Sequence, residues 1–143
     1  MPLPSLTGTW TGAGVNHESQ PFTAHLTIHP INSTAFILTF TATGTDGEIY
    51  HTETILISET SATSASNNLP GLATFTVTRP NPETLTLTLG DLTNETAFRE
   101  TITLHSPTPD TLHNTYAWAM PGEPLRPSST SHLTRTLQLS LRA

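Results

Sequence analysis

The sequence predicts an all-β fold, a closed antiparallel up-and-down β-barrel of about nine or ten strands around a central ligand cavity. Three observations predict it. Threonine occupies 30 of the 143 positions, and a β-branched side chain suits a pleated strand, where its methyl packs and its hydroxyl faces water. Apolar and polar residues alternate from end to end of the chain, the period of a half-buried strand. Turn chemistry then divides the chain into short strands of similar length.

About nine strands follow in order. The first, 8–15, carries Trp10 among threonines and glycines. The second, 22–29, places Phe22, Ala24, Leu26 and Ile28 on one face and Thr23, His25, Thr27 and His29 on the other. The third, 35–43, has Phe36, Leu38 and Phe40 on its apolar face. Gly44-Thr45-Asp46-Gly47 is a hairpin turn leading to the fourth, 48–57. Ser58 to Pro70 is read as a polar, mobile loop. The fifth, 72–79, and sixth, 84–89, turn Phe75, Val77, Leu85, Leu87 and Leu89 inward and are separated by Pro80-Asn81-Pro82. Gly90-Asp91 turns into the seventh, 96–105, and Pro107-Thr108-Pro109-Asp110 breaks the ladder by lacking donors before the eighth, 111–120. A loop from Pro121 to Thr130 precedes the last, 131–141. No helix, linker or repeat interrupts this pattern, so 1–143 reads as one domain. A meander of this length avoids exposed edges by closing on itself, with a lumen wide enough for one small ligand; a β-sandwich is the structural competitor.

Composition narrows the partners. The formal net charge is -6, with five arginines and no lysine. That is a poor surface for phosphates, so neither nucleic acid nor an anionic membrane is an expected partner. The absence of cysteine removes disulfides, thiolate metal sites and a cysteine nucleophile. The N-terminus has no positive and then apolar run of a signal peptide, and a cytoplasmic location is the expectation. Seven histidines are scattered, and only His25 and His29 stand at a suggestive spacing. On a strand they are about 13 Å apart, too far for one metal ion. There is no G-x-S-x-G elbow for a serine triad.

The inward faces carry the functional signal. The fourth strand's apolar face reads Ile49, His51, Glu53, Ile55, Ile57, the seventh's Phe98, Glu100, Ile102, Leu104, and the eighth's Leu112, Asn114, Tyr116, Trp118, Met120. Buried ionisable groups cost several kcal/mol unless paired. His51 and Glu53, two residues apart, share a side and are close enough to share a proton or a ligand. A structural hydrogen bond, or solvation at a barrel rim, would explain the same residues without function. Trp10 is read as a structural plug at the closed end.

Three ordered segments resemble the nitrobindin family. Gly8-Thr9-Trp10-Thr11-Gly12-Ala13-Gly14 is similar to its G-x-W-x-G-x-G first strand, and Tyr50-His51-Thr52-Glu53 to its small-x-His-x-Glu strand. Leu112 to Met120, Pro124-Leu125-Arg126-Pro127, and His132-Leu133 with Leu137 resemble its last strands and the turn between them. The resemblance implies a calycin barrel similar in fold to fatty-acid-binding proteins, holding ferric heme through one histidine of the last strand, with nitric oxide and peroxynitrite chemistry. In the family that histidine directly follows Pro-Leu-x-Pro. Here Ser128 stands at that place and His132 comes four residues later. Either an insertion makes His132 the iron ligand, or the ligand is lost. His132 also lies on the face opposite Leu133, Leu137, Leu139 and Leu141. If the leucines face the lumen, His132 faces solvent; if they face outward, they offer a homodimer surface.

The expected function is binding of a small, largely apolar organic molecule in the lumen and acid–base chemistry on it, of isomerase, cyclase or dehydratase type, without a cofactor. His51 is the expected base or acid, with Glu53 its partner. Glu100 is a desolvated acid and Tyr116 a donor to a carbonyl oxygen. Trp118, Phe36, Phe40 and Asn114 shape the pocket. The alternatives are a heme protein with iron on His132 and a passive carrier of a hydrophobic molecule.

Overall fold

The computed structural model describes residues 3–136. Ten strands follow a short 3-10 turn, Leu3–Leu6. They are β1 (Gly8–Val15), β2 (Pro21–Pro30), β3 (Phe36–Gly44), β4 (Ile49–Ile57), β5 (Ser61–Ser66), β6 (Leu69–Asn81), β7 (Thr84–Leu89), β8 (Arg99–Thr108), β9 (Thr111–Ala119) and β10 (Arg126–Arg135). Each pairs antiparallel with the next, and β10 returns to β1 to close the barrel.

Two expectations about the chain are corrected. The segment Ser58 to Pro70 is not a loop, because Ser61–Ser66 forms β5 and β6 starts at Leu69. Its inward residues, Ala62 and Ser64, are too small to give the apolar alternation that marks a strand. Topology requires the extra strand, since a meander of nine would bring its first and last strands together parallel, whereas ten close antiparallel. The second correction is the start of the last strand. It begins at Arg126, and Pro127 is accommodated by an irregularity between Pro127 and Ser129; a strand tolerates proline at such a bulge.

Threonine's abundance has a physical place. Thr78, Thr86, Thr103, Thr115 and Thr130 pair in register across β6 to β10. The row lies on the outer wall, where cross-strand pairs of this kind each contribute about 0.2–1 kcal/mol.

The barrel has a closed end and a mouth. At the closed end Trp10 is fully buried, and its indole N–H donates to the Leu6 carbonyl at 3.0 Å. The Arg135 guanidinium stacks over the Trp10 ring at 4.2 Å and donates to the carbonyls of Thr7, Ser5 and Pro109. Leu26, Ile28, Leu38, Ile55, Ile57, Leu85, Leu87, Ile102, Leu104, Leu112 and Leu133 fill the adjoining half of the interior. A cavity lies toward the mouth.

Within β10, Ser131 and Leu133 are buried and His132 is exposed. The inward face is therefore the leucine face, as far as the description reaches. Leu137, Leu139 and Leu141 lie outside the described residues. Leu133 belongs to the core and offers nothing to a dimer surface.

Candidate functional site

The inward ionisable residues fall toward the mouth end of their strands, with the buried Asn114 and Ser131 deeper. Alternate strands run in opposite directions, so the first half of β4 and β8 and the last half of β9 meet at the same end. This brings His51 and Glu53 (β4), Glu100 (β8), and Tyr116 and Trp118 (β9) around one cavity of about 320 Å³. Its wall is completed by Phe22, Ala42, Tyr50, Leu69 and Phe98, and its rim by Asn16, His17 and Met120. The His17 ring meets the Trp118 ring edge-on at 5.4 Å. An outer groove of about 500 Å³ continues from this rim along Glu123 to Thr130.

A hydrogen-bonded chain runs down one wall. His51 Nε2 lies 3.0 Å from Glu53 Oε1. The other carboxylate oxygen of Glu53 accepts from the Ser64 hydroxyl on β5. Glu53 is only 4% exposed, and a carboxylate at that depth needs such donors to offset its lost hydration. The His51 ring is held between Tyr116, at 4.8 Å, and Phe40, at 5.6 Å between centroids. This contact array fixes the imidazole while leaving it on the cavity wall. Ser64 sits in the segment read from sequence as a loop, and only the cross-strand geometry of β4 and β5 reveals it.

Glu100 enters from a wall four strands away from Glu53. It is 8% exposed and, among the described residues, has no hydrogen-bond partner. Burial first, and the charge of Glu53 second, raise its pKa to about 7. Tyr116 is 2% exposed. Burial and then the Glu53 charge push its hydroxyl well above the ordinary phenol range. Its oxygen lies close enough to Asn114 and Glu53 for both to bias its titration, yet makes no hydrogen bond of sound geometry to either. Below it, the Asn114 amide and the Ser131 hydroxyl, paired in register on β9 and β10, are also buried without partners. Unsatisfied buried polar atoms cost about 1–3 kcal/mol each, and a ligand or ordered water that pairs with them recovers part of that cost.

Three sequence-predicted positions stand elsewhere. Phe36 starts β3 at the closed end, about 20 Å along the strand from Ala42, so it belongs to the core and does not line the cavity. Phe40 touches His51 and Tyr116 from behind and does not itself line the cavity. Asn114 lies beneath the cavity wall. Alternation distinguishes inside from outside but carries no information about depth along the barrel axis.

His132 is on the outer wall. It faces His113 at 4.2 Å between ring centroids, and His113 faces His105 at 6.0 Å. The three are cross-strand neighbours on β8, β9 and β10. Burial, then the neighbouring His132 and His105, lowers the His113 pKa. Among the described residues, no three metal-ligating side chains converge on one point. An iron held by His132 would therefore sit outside the barrel, not in the lumen the family resemblance implies. Ser129, next to the position that follows Pro-Leu-x-Pro, is the β10 residue on the cavity wall.

No family model and no curated protein matches the chain by sequence. Solved structures do match it. The crystal structure of Rv2717c from M. tuberculosis superposes with a TM-score of 0.64 at 16% identity, over 94% of this chain and 95% of that one. The S-type phycobiliprotein lyase CPES from Guillardia theta gives 0.59 at 10% identity, over 95% and 91%. A redesigned β-barrel, mFAP1, bound to DFHBI, gives 0.53 at 14% identity, over 93% and 97%. At these identities the likeness is one of fold. The chain has the fold of a closed ten-strand antiparallel β-barrel.

Proposed function

We propose that the barrel binds a small, largely apolar organic molecule in its mouth-side cavity and moves a proton on it. The observation that carries this reading is the buried Ser64–Glu53–His51 chain ending on a cavity whose far wall holds the unpartnered Glu100. Positioned acid and base groups on opposite sides of a bound molecule are what isomerisation, cyclisation or dehydration requires. Glu53 orients the imidazole, His51 takes or gives the proton, and Glu100, titrating near 7, supplies or receives the other. Tyr116, held protonated by burial, donates to an oxygen of the substrate. Phe22, Tyr50, Phe98 and Trp118 on the wall supply binding through apolar burial. That a barrel of this fold is found bound to DFHBI supports a ligand-binding role.

The test is depletion of a small molecule from a fractionated cell extract incubated with the purified protein, followed by mass spectrometry. The expected result is one or a few masses consumed by the native protein and an isobaric or dehydrated product formed. His51→Ala and Glu53→Gln are expected to reduce that conversion by about 10²–10⁴-fold, the range of a lost general acid or base. Conversion unchanged in both variants would remove acid–base chemistry at this site.

The carrier reading differs only in predicting retention without conversion in the same experiment. The heme reading is less favoured because His132 is exposed on the outer wall. Hemin added to the protein is expected to give the same Soret band with His132→Ala as with the native chain. A band present natively and lost in that variant would restore the histidine to an iron-binding role.

A further inference from the structure

The charge of the cavity wall selects among ligands more sharply than its shape. Glu53 and Glu100 both face the space. Among the described residues no lysine or arginine does, Arg126 lying in the adjoining outer groove. Arg99 follows the opposite face of β8 and donates to the carbonyls of Ala97 and Glu123, while Arg135 is committed to the closed end. Among the described residues, the nitrogen bases at the cavity are His51, already held to Glu53, and His17 at the rim, 3.3 Å from Glu18. The remainder of the wall combines aromatic rings, Phe22, Tyr50, Phe98, Tyr116 and Trp118, with aliphatic side chains and the neutral polar groups of Asn16, Ser66, Asn68 and Ser129. An independent observation points to the same spot. The Tyr116 hydroxyl, 2% exposed and on this wall, has no hydrogen-bond partner.

A carboxylate ligand brought here would meet two buried acidic groups with, among the described residues, no lysine or arginine to compensate them. An ammonium meets the reverse: two carboxyl oxygen sites, a phenol oxygen free to accept, and ring faces that attract cations. We infer that the cavity takes an organic cation, a primary amine on an aromatic body, with its ammonium between Glu53 and Glu100 and one N–H donated to the Tyr116 oxygen. This rests on the lumenal reading above and specifies the chemical class of the molecule bound there. It also distinguishes the barrel from one built to hold fatty acids, whose carboxylate needs a basic side chain in the lumen.

Three probes of nearly equal size test it: phenethylamine, 2-phenylethanol and 3-phenylpropionate, titrated near neutral pH and followed by calorimetry and by the emission of Trp118. The amine is expected to bind at least about tenfold more tightly than the alcohol, since a single desolvated charge pair exceeds that ratio. The carboxylate is expected to bind more weakly than either. In Glu100→Gln the ratio of amine to alcohol affinity is expected to fall close to one. Equal affinity for amine and alcohol in the native protein, or a preference for the carboxylate, would overturn the cationic assignment and leave lumenal binding standing. An amine preference that survives Glu100→Gln would overturn the placement of the ammonium. Failure of all three probes to bind would overturn the assignment together with the lumenal reading beneath it.

Discussion

Gly12→Ala is expected to destabilise the barrel by about 3 kcal/mol or more, at the upper end of what overpacking costs. The added methyl would lie 1.9 Å from the His132 carbonyl oxygen and 2.9 Å from Leu133 Cα. Both are backbone atoms of β10, so no rotamer change relieves the contact. The strands must separate, and this is the seam at which β10 returns to β1 to close the barrel. Gly14 stands in the same seam, where a methyl would meet the Thr130 carbonyl oxygen at 2.3 Å. The two glycines thus let β1 approach its neighbour more closely than any side chain allows. The check is the urea midpoint of Gly12→Ala against the native chain; a midpoint within experimental scatter would show that the seam opens freely.

Glu100→Gln is expected to stabilise the barrel in alkaline solution and to flatten the dependence of stability on pH. Glu100 is raised from an ordinary 4.5 to about 7. A group whose folded value is the higher one binds its proton more tightly in the native state. Its contribution to stability is full below 4.5 and is lost as the pH rises through about 7. A shift of that size corresponds to about 3 kcal/mol. Glutamine has no proton to lose. Urea denaturation at about pH 4 and about pH 8 should therefore show the variant gaining about 3 kcal/mol on the native chain between the two conditions. An unchanged difference would show that the carboxyl is hydrated and carries no raised pKa. Under the proposed function, the same desolvation that lowers stability above neutrality would poise Glu100 for proton transfer.

The strands whose inner faces carry large apolar residues were legible from the sequence, and so were the sides on which His51, Glu53, Glu100 and Tyr116 stand. In those strands the period of two is set by the pleat and survives any tertiary arrangement. β5 was not legible, because Ala62 and Ser64 leave no hydrophobic pattern. Missing it concealed Ser64, the donor that anchors Glu53, and obscured the direction in which every later strand runs. Direction matters because it decides whether an inward residue sits at the mouth or the closed end. Phe36 was assigned to the pocket on its face alone, and its position at the start of an upward strand removes it. The histidines show the same limit. His105, His113 and His132 are 8 and 19 residues apart in sequence, with nothing to connect them until the register of three strands sets them side by side.

By itself, then, the sequence determined the fold class and which side chains point inward, since both follow from local alternation and turn chemistry. The tertiary structure alone decided depth, register and neighbours. It fills the closed half of the barrel, gathers His51, Glu53, Glu100 and Tyr116 around one cavity at the mouth, and turns His132 to the outer wall. Those are properties of how ten strands run and align against one another, and no single strand encodes them.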